Sequence, residues 1–141
     1  FNLHDQRPGY RAGNSELPTA IALLAPPFNQ ARDSNPVRER AIGVAAHISA
    51  TLRPELEGRL ARWDDSFNPR AFGDLMQQWG TSTVLLEAGG IEGDAQKQQL
   101  RQYTLWQSWP GCRPLPMAAM PAPTRPAITS CRKMARSGRT C

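Results

Sequence analysis

The stretch Trp79-Gly80-Thr81-Ser82-Thr83-Val84-Leu85-Leu86-Glu87-Ala88-Gly89-Gly90 constrains the fold more than any other part of the chain. It opens on a helix stop, runs through β-branched and aliphatic residues, and ends with a carboxylate before two glycines. Residues 81–86 have the length and composition of a strand buried on both faces, as in a parallel or mixed α/β sheet. Val84 and Leu86 are expected in the core and the strand in the sheet interior. Glu87 then falls where the strand leaves the sheet, and strand ends are where open α/β sheets place their chemistry. A solvated strand-end acid is the plainer reading of such a residue.

The segments before this stretch alternate between strand and helix patterns. Phe1-Asn2-Leu3-His4 alternates apolar and polar residues and reads as a strand ending near His4, with a loop from Arg7-Pro8-Gly9 through Gly13-Asn14-Ser15. Thr19 to Leu24 is a second apolar run, closed by Ala25-Pro26-Pro27. Asn35-Pro36 is a helix start, with Asn35 as N-cap and Pro36 at the first helical position. Val37, Ala41, Val44, Ile48 and Leu52 follow at helical spacing, and Pro54 ends the helix. His47 lies at the edge of that stripe and reads as a surface histidine. Asn68-Pro69 repeats the start signal ahead of a stripe of Phe72, Leu75, Met76 and Trp79, with Gly80 as the left-handed cap. Asp94 is an N-cap for a helix over residues 95–105, in which Leu100 and Tyr103 face the core. This alternation predicts an α/β fold: a mixed, mostly parallel sheet flanked by helices.

The chain of 141 residues is long enough for one domain with a core. It opens at Phe1 without a basic or long apolar leader, so no signal peptide is expected. The first residues already read as a strand, so the chain is expected to begin inside a domain. No apolar run has the length to span a membrane. The net charge of +5 points toward nucleic acid, but its distribution points away. All twelve acidic residues lie at or before Asp94, and residues 1–94 carry a net −3. Residues 95–141 carry +8 with no acid, so the basic character belongs to the C-terminal end. No nucleic-acid partner is expected unless that end is a genuine binding tail. Residues 106–141, rich in proline and arginine and without a sustained period, are expected to be an irregular tail. They read either as a natural basic tail or as sequence translated out of frame. Cys112, Cys131 and Cys141 all lie there, without metal-type spacing.

Phe1-Asn2-Leu3-His4-Asp5-Gln6, the central stretch ending in Glu87-Ala88-Gly89-Gly90, and Arg70-Ala71-Phe72-Gly73-Asp74 between them together resemble one family. They look like the C-terminal half of zinc metallocarboxypeptidases of the carboxypeptidase A type, in a bacterial branch, over residues 1–105. The resemblance implies that His4 is the third ligand of one zinc ion and Glu87 the general base. It implies a peptide or small amide substrate and a periplasmic or extracellular setting. The chemistry suits these residue types. A catalytic zinc takes three protein ligands and keeps an open position for water. A base must reach that water from a stiff element, and the adjoining glycines are expected to leave room for substrate.

The chain also departs from the family pattern. The His-x-x-Glu pair that supplies the other ligands is absent: His4 precedes Asp5-Gln6-Arg7 and His47 precedes Ile48-Ser49-Ala50. The arginines that clamp a substrate carboxylate belong to sequence before the third ligand. Trp63 stands near the place of a tyrosine expected before the base. Asp5, Gln6 and Arg7 read either as supports for the site or as ordinary loop polarity. The chain is therefore expected to hold part of an active site. Two alternatives stay open: a deacylase of small N-acyl amino acids on the same scaffold, and a metal-free module that binds peptide or glycan.

Overall fold

The computed structural model describes residues 1–7, 9–108 and 132–136. Its elements are β1 (Asn2–Asp5), β2 (Tyr10–Ala12), β3 (Ile21–Leu24), α1 (Pro36–Leu52), β4 (Leu60–Arg62), α2 (Phe72–Gln78), β5 (Leu85–Ala88), α3 (Gln98–Ser108) and β6 (Arg132–Arg136). The strands form one sheet in the order β1-β5-β3-β4-β6-β2. The β1–β5, β3–β4 and β4–β6 pairs are parallel, and the β5–β3 and β2–β6 pairs antiparallel. The mixed, mostly parallel α/β architecture is thus as the sequence predicts.

β3 is the spine of the core. All four of its residues are buried, which requires cover on both faces. On one face Ile21 and Leu23 join Val84, Leu86, Leu60 and the inner side of α1 in a single cluster. On the other face Ala22 packs with Ala12 and Ala61, and Trp63 lies against them. The sheet is therefore thick and aliphatic on its helix side and lined with small residues on the reverse.

α1 begins as predicted, with the Asn35 side chain accepting from the Arg38 amide at 2.8 Å and Pro36 in the first turn. Its buried face is Ala41, Ala45, Ile48 and Leu52, while Val44 is left exposed. Residues 44 and 45 sit on opposite flanks of the predicted stripe, and the helix turns its small Ala41–Ala45 side to the sheet. Arg38 is drawn inward as well, its guanidinium donating to the carbonyls of Arg32 at 2.5 Å and Asp33 at 3.2 Å.

α2 corrects the sequence reading more strongly. Asn68-Pro69 forms a turn rather than the helix start: the Asn68 side chain accepts from the Arg70 amide at 3.0 Å, and the helix begins at Phe72. Phe72 and Trp79 are exposed, and the buried face is Gly73, Asp74 and Gln77. The reason is the neighbour. Pro26 lies so close that a Cβ at position 73 would sit 2.8 Å from its ring. Gln77 donates to the Pro26 carbonyl at 3.1 Å. Gly80 ends the helix at φ +86°, with Thr81 N–H on the Met76 carbonyl and Gly80 N–H on that of Gln77. These two bonds form a Schellman motif.

The central strand is shorter than predicted. Residues 81–84 precede it, because their side chains bond elsewhere. The Ser82 hydroxyl donates to the Val37 carbonyl at 2.8 Å, and that of Thr83 to the Thr81 carbonyl at 3.1 Å. β5 is nonetheless interior, between β1 and β3, with Val84 and Leu86 buried. Asp94 caps α3 three residues later than predicted, accepting from the amides of Gln98, Gln99 and Leu100 at 2.6, 2.9 and 3.2 Å. The expectation of an irregular tail is corrected in two places. α3 continues to Ser108, and residues 132–136 form β6, inserted between β4 and β2. Residues 109–131 and 137–141 lie outside the described residues. β2 and β4 escape sequence reading because each is only three residues long.

Candidate functional site

His4 and Glu87 are direct Cα partners on the parallel strands β1 and β5. Registered residues on neighbouring strands project from the same face. The His4 Nδ1 and Glu87 Oε1 atoms lie 3.2 Å apart. The two residues singled out 83 positions apart in the sequence therefore meet. Glu87 is not past the end of its strand, as the sequence implied; it is the third of the four β5 residues.

The two partners sit in unequal surroundings. The His4 side chain is 50% exposed and that of Glu87 only 7%. Glu87 is walled by β1 on one side and, on the other, by its β3 partner Ala22, which is fully buried. Burial pushes the Glu87 carboxyl above its ordinary range; the charge and hydrogen bond of His4 pull it down, and the charge of Asp5 pushes it up. Desolvation is the largest of these, because a carboxylate at this depth has lost most of its water. The result is a carboxylate more basic than a surface one, held beside an imidazole that reaches solvent.

The face in front of Glu87 is made of small side chains. Ala22 pairs with Ala61 on β4, and Trp63 packs on both at the far side, its ring 5.7 Å from that of Tyr10. The two glycines after the strand differ in role. A Cβ at Gly89 would stand 2.0 Å from the Thr19 carbonyl oxygen, so Gly89 serves a close backbone approach and not a space for substrate. Gly90 has open space around its Cα.

Asp5 and Gln6 take no direct part in the pair. Pleating turns Asp5 to the opposite face, where its carboxylate meets the Lys97 ammonium. Gln6 is buried and Arg7 exposed. His47 is exposed on α1, as predicted. Lys97 is the residue near the site that sequence reading missed. Nothing in its neighbours Gln96 and Gln98 marks it out.

His4 fits as one zinc ligand, since ligating imidazoles commonly have their second nitrogen held by a carboxylate. Among the described residues no three His, Cys, Asp or Glu side chains converge to hold an ion. A complete three-ligand centre is therefore not assembled from them. No described helix is long and apolar enough to cross a membrane. No family model matches the chain, and no curated protein or solved structure matches it.

Proposed function

We propose that this chain carries the base-bearing part of a hydrolase that cleaves C-terminal peptide bonds, with Glu87 as general base and His4 as a zinc ligand. The reading rests above all on the registered His4–Glu87 contact at 3.2 Å. It joins the two residues to which the family resemblance assigns chemistry. A general base works best when its pKa is raised toward the operating pH, and burial moves Glu87 in that direction. Ala22 and Ala61 line the sheet beside the carboxylate with small side chains, and Trp63 covers them.

In this reading Glu87 accepts a proton from the attacking water and hands it to the leaving amine. His4 holds one position of the metal, whose contribution when bound is to polarise the scissile carbonyl and acidify the water. The other ligands come from a segment outside the described residues. The outer edge of β1 is where such a segment fits: among the described residues β1 ends the sheet, and Leu3 on it and Phe1 just before it are exposed. The small-acyl deacylase uses the same two residues and differs only in the substrate groove.

The test joins this chain to a His-x-x-Glu segment and measures zinc content beside turnover of a peptide with a free C-terminus. His4→Ala is expected to lower zinc occupancy. An unchanged zinc content in His4→Ala would remove His4 from the metal.

A further inference from the structure

We infer that Lys97 is a positioning residue for the His4–Glu87 pair, holding the ends of β1 and β5 together from the back of the sheet. This rests on the reading of that pair as the site. The Lys97 ammonium donates to the Asp5 carboxylate, to the Gln6 carbonyl at 3.2 Å and to the Ala88 carbonyl at 3.1 Å. Those acceptors lie one and two residues past His4, at and just beyond the end of β1, and one residue past Glu87 on β5. The last ladder bond between the strands, Gln6 N–H to the Ala88 carbonyl at 2.8 Å, ends on the same oxygen. One cation therefore closes the ladder immediately beyond the pair.

The arrangement leaves Lys97 nothing else to do. An ammonium has three donors, and three acceptors meet it, so no N–H remains for a substrate carboxylate. Its approach is from the face of Leu86, where Leu100 of α3 joins the core cluster. His4 and Glu87 project from the other face. The group acts through the backbone and touches neither residue.

The backbone at Lys97 is built for the reach. Its φ is +55°, a left-handed conformation that a lysine adopts rarely. It is held there from both sides: Lys97 N–H donates to the Asp94 carbonyl at 2.9 Å, and Arg101 N–H donates to the Lys97 carbonyl at 2.9 Å. The Asp94 carboxylate fixes the next three amides. Strain retained at one residue, with its side chain spent on two strand ends, is the pattern expected of a residue kept for position.

The experiment is imidazole nitrogen NMR on the 141-residue protein, at a pH where the rings are neutral. His4 and His47 are its two histidines, and His47→Gln assigns them. With the strand ends held, the His4 tautomer carrying its proton on Nδ1, toward Glu87, dominates. Lys97→Met is expected to shift the tautomer ratio about fivefold toward the other form, the scale of one lost hydrogen bond, with the Leu86 and Leu100 amides unchanged. Lys97→Arg, which keeps charge and reach, should restore most of the parent ratio. An unchanged His4 ratio in folded Lys97→Met overturns the inference, as does a shift accompanied by general loosening at Leu86 and Leu100. If Lys97→Met does not fold, Lys97→Gln decides: a shift in the same direction supports the role, and an unchanged ratio refutes it. None of these signals depends on hydrolysis. Failure of the hydrolase reading would appear separately, as Glu87-independent turnover in the zinc-loaded assembly.

Discussion

At the scale of single residues, the decisive fact is the unequal setting of two groups that touch. Glu87 is buried and His4 half exposed, so the pair has one end in the protein and one in water. Burial raises the Glu87 pKa, and the sign of the consequence follows. The folded protein holds this proton more tightly than the unfolded chain does. The associated stability is full below the ordinary value of 4.5 and is lost as pH rises through the folded value. Glu87→Gln removes a group that must lose its proton in a dry site. The variant should therefore gain in Tm relative to the parent over the pH window that opens above the ordinary value of 4.5. Thermal unfolding of both proteins across that window checks this; a difference that stays constant with pH contradicts it.

At the scale of elements, close backbone approach and capping decide what the strands and helices can do. Gly89→Ala would place a methyl 2.0 Å from the Thr19 carbonyl oxygen, where Gly89 N–H already donates to the Ala20 carbonyl at 2.7 Å. The expected cost is ~1–3 kcal/mol, measured by denaturant unfolding. Gly90→Ala, with open space around it, should cost far less, and equal losses would contradict the assignment. Asp94→Ala strips three amides of α3 of their acceptor and should cost ~1–2 kcal/mol, with faster amide exchange at Gln98, Gln99 and Leu100.

The same elements show how much the sequence disclosed. Asn35-Pro36, Gly80 and Asp94 were legible because capping is local chemistry, written within a few residues. Val84 and Leu86 were legible because an uninterrupted aliphatic run has few other places to go. Phe72 and Trp79 were misread because the partner of α2 is the Pro26 corner, which accepts Gly73 and Gln77 rather than large apolar groups. β2 and β6 were missed because their pairing brings together residues 10–12 and 134–136, a distance no local pattern records. His4 and Glu87 were each singled out by type and position, without any sign that they touch. Their separation, and Lys97 behind them, came only from register.

At the scale of the whole molecule, the sheet presents two faces with different work. One carries α1, α3 and the aliphatic cluster; the other carries Glu87, His4, Ala22, Ala61 and the Tyr10–Trp63 pair. The outer edge of β1 lies beside that second face and ends the sheet. With one imidazole and one base, the chain alone should bind zinc weakly and hydrolyse no peptide. Isothermal titration with zinc should give an affinity that His4→Ala hardly changes; tight stoichiometric binding would mean that ligands other than those proposed are at work.

In the proposed reading Glu87 is a base and not a ligand or a structural acid. The measurement that reaches it most directly uses this chain joined to a His-x-x-Glu segment, with zinc content and turnover of a free-C-terminus peptide read in the same preparation. Glu87→Gln should keep the parent zinc content while hydrolysis falls by at least ~10²-fold, the scale of losing a general base. Hydrolysis at the parent rate by a zinc-loaded Glu87→Gln protein would contradict the claim, whatever the fold.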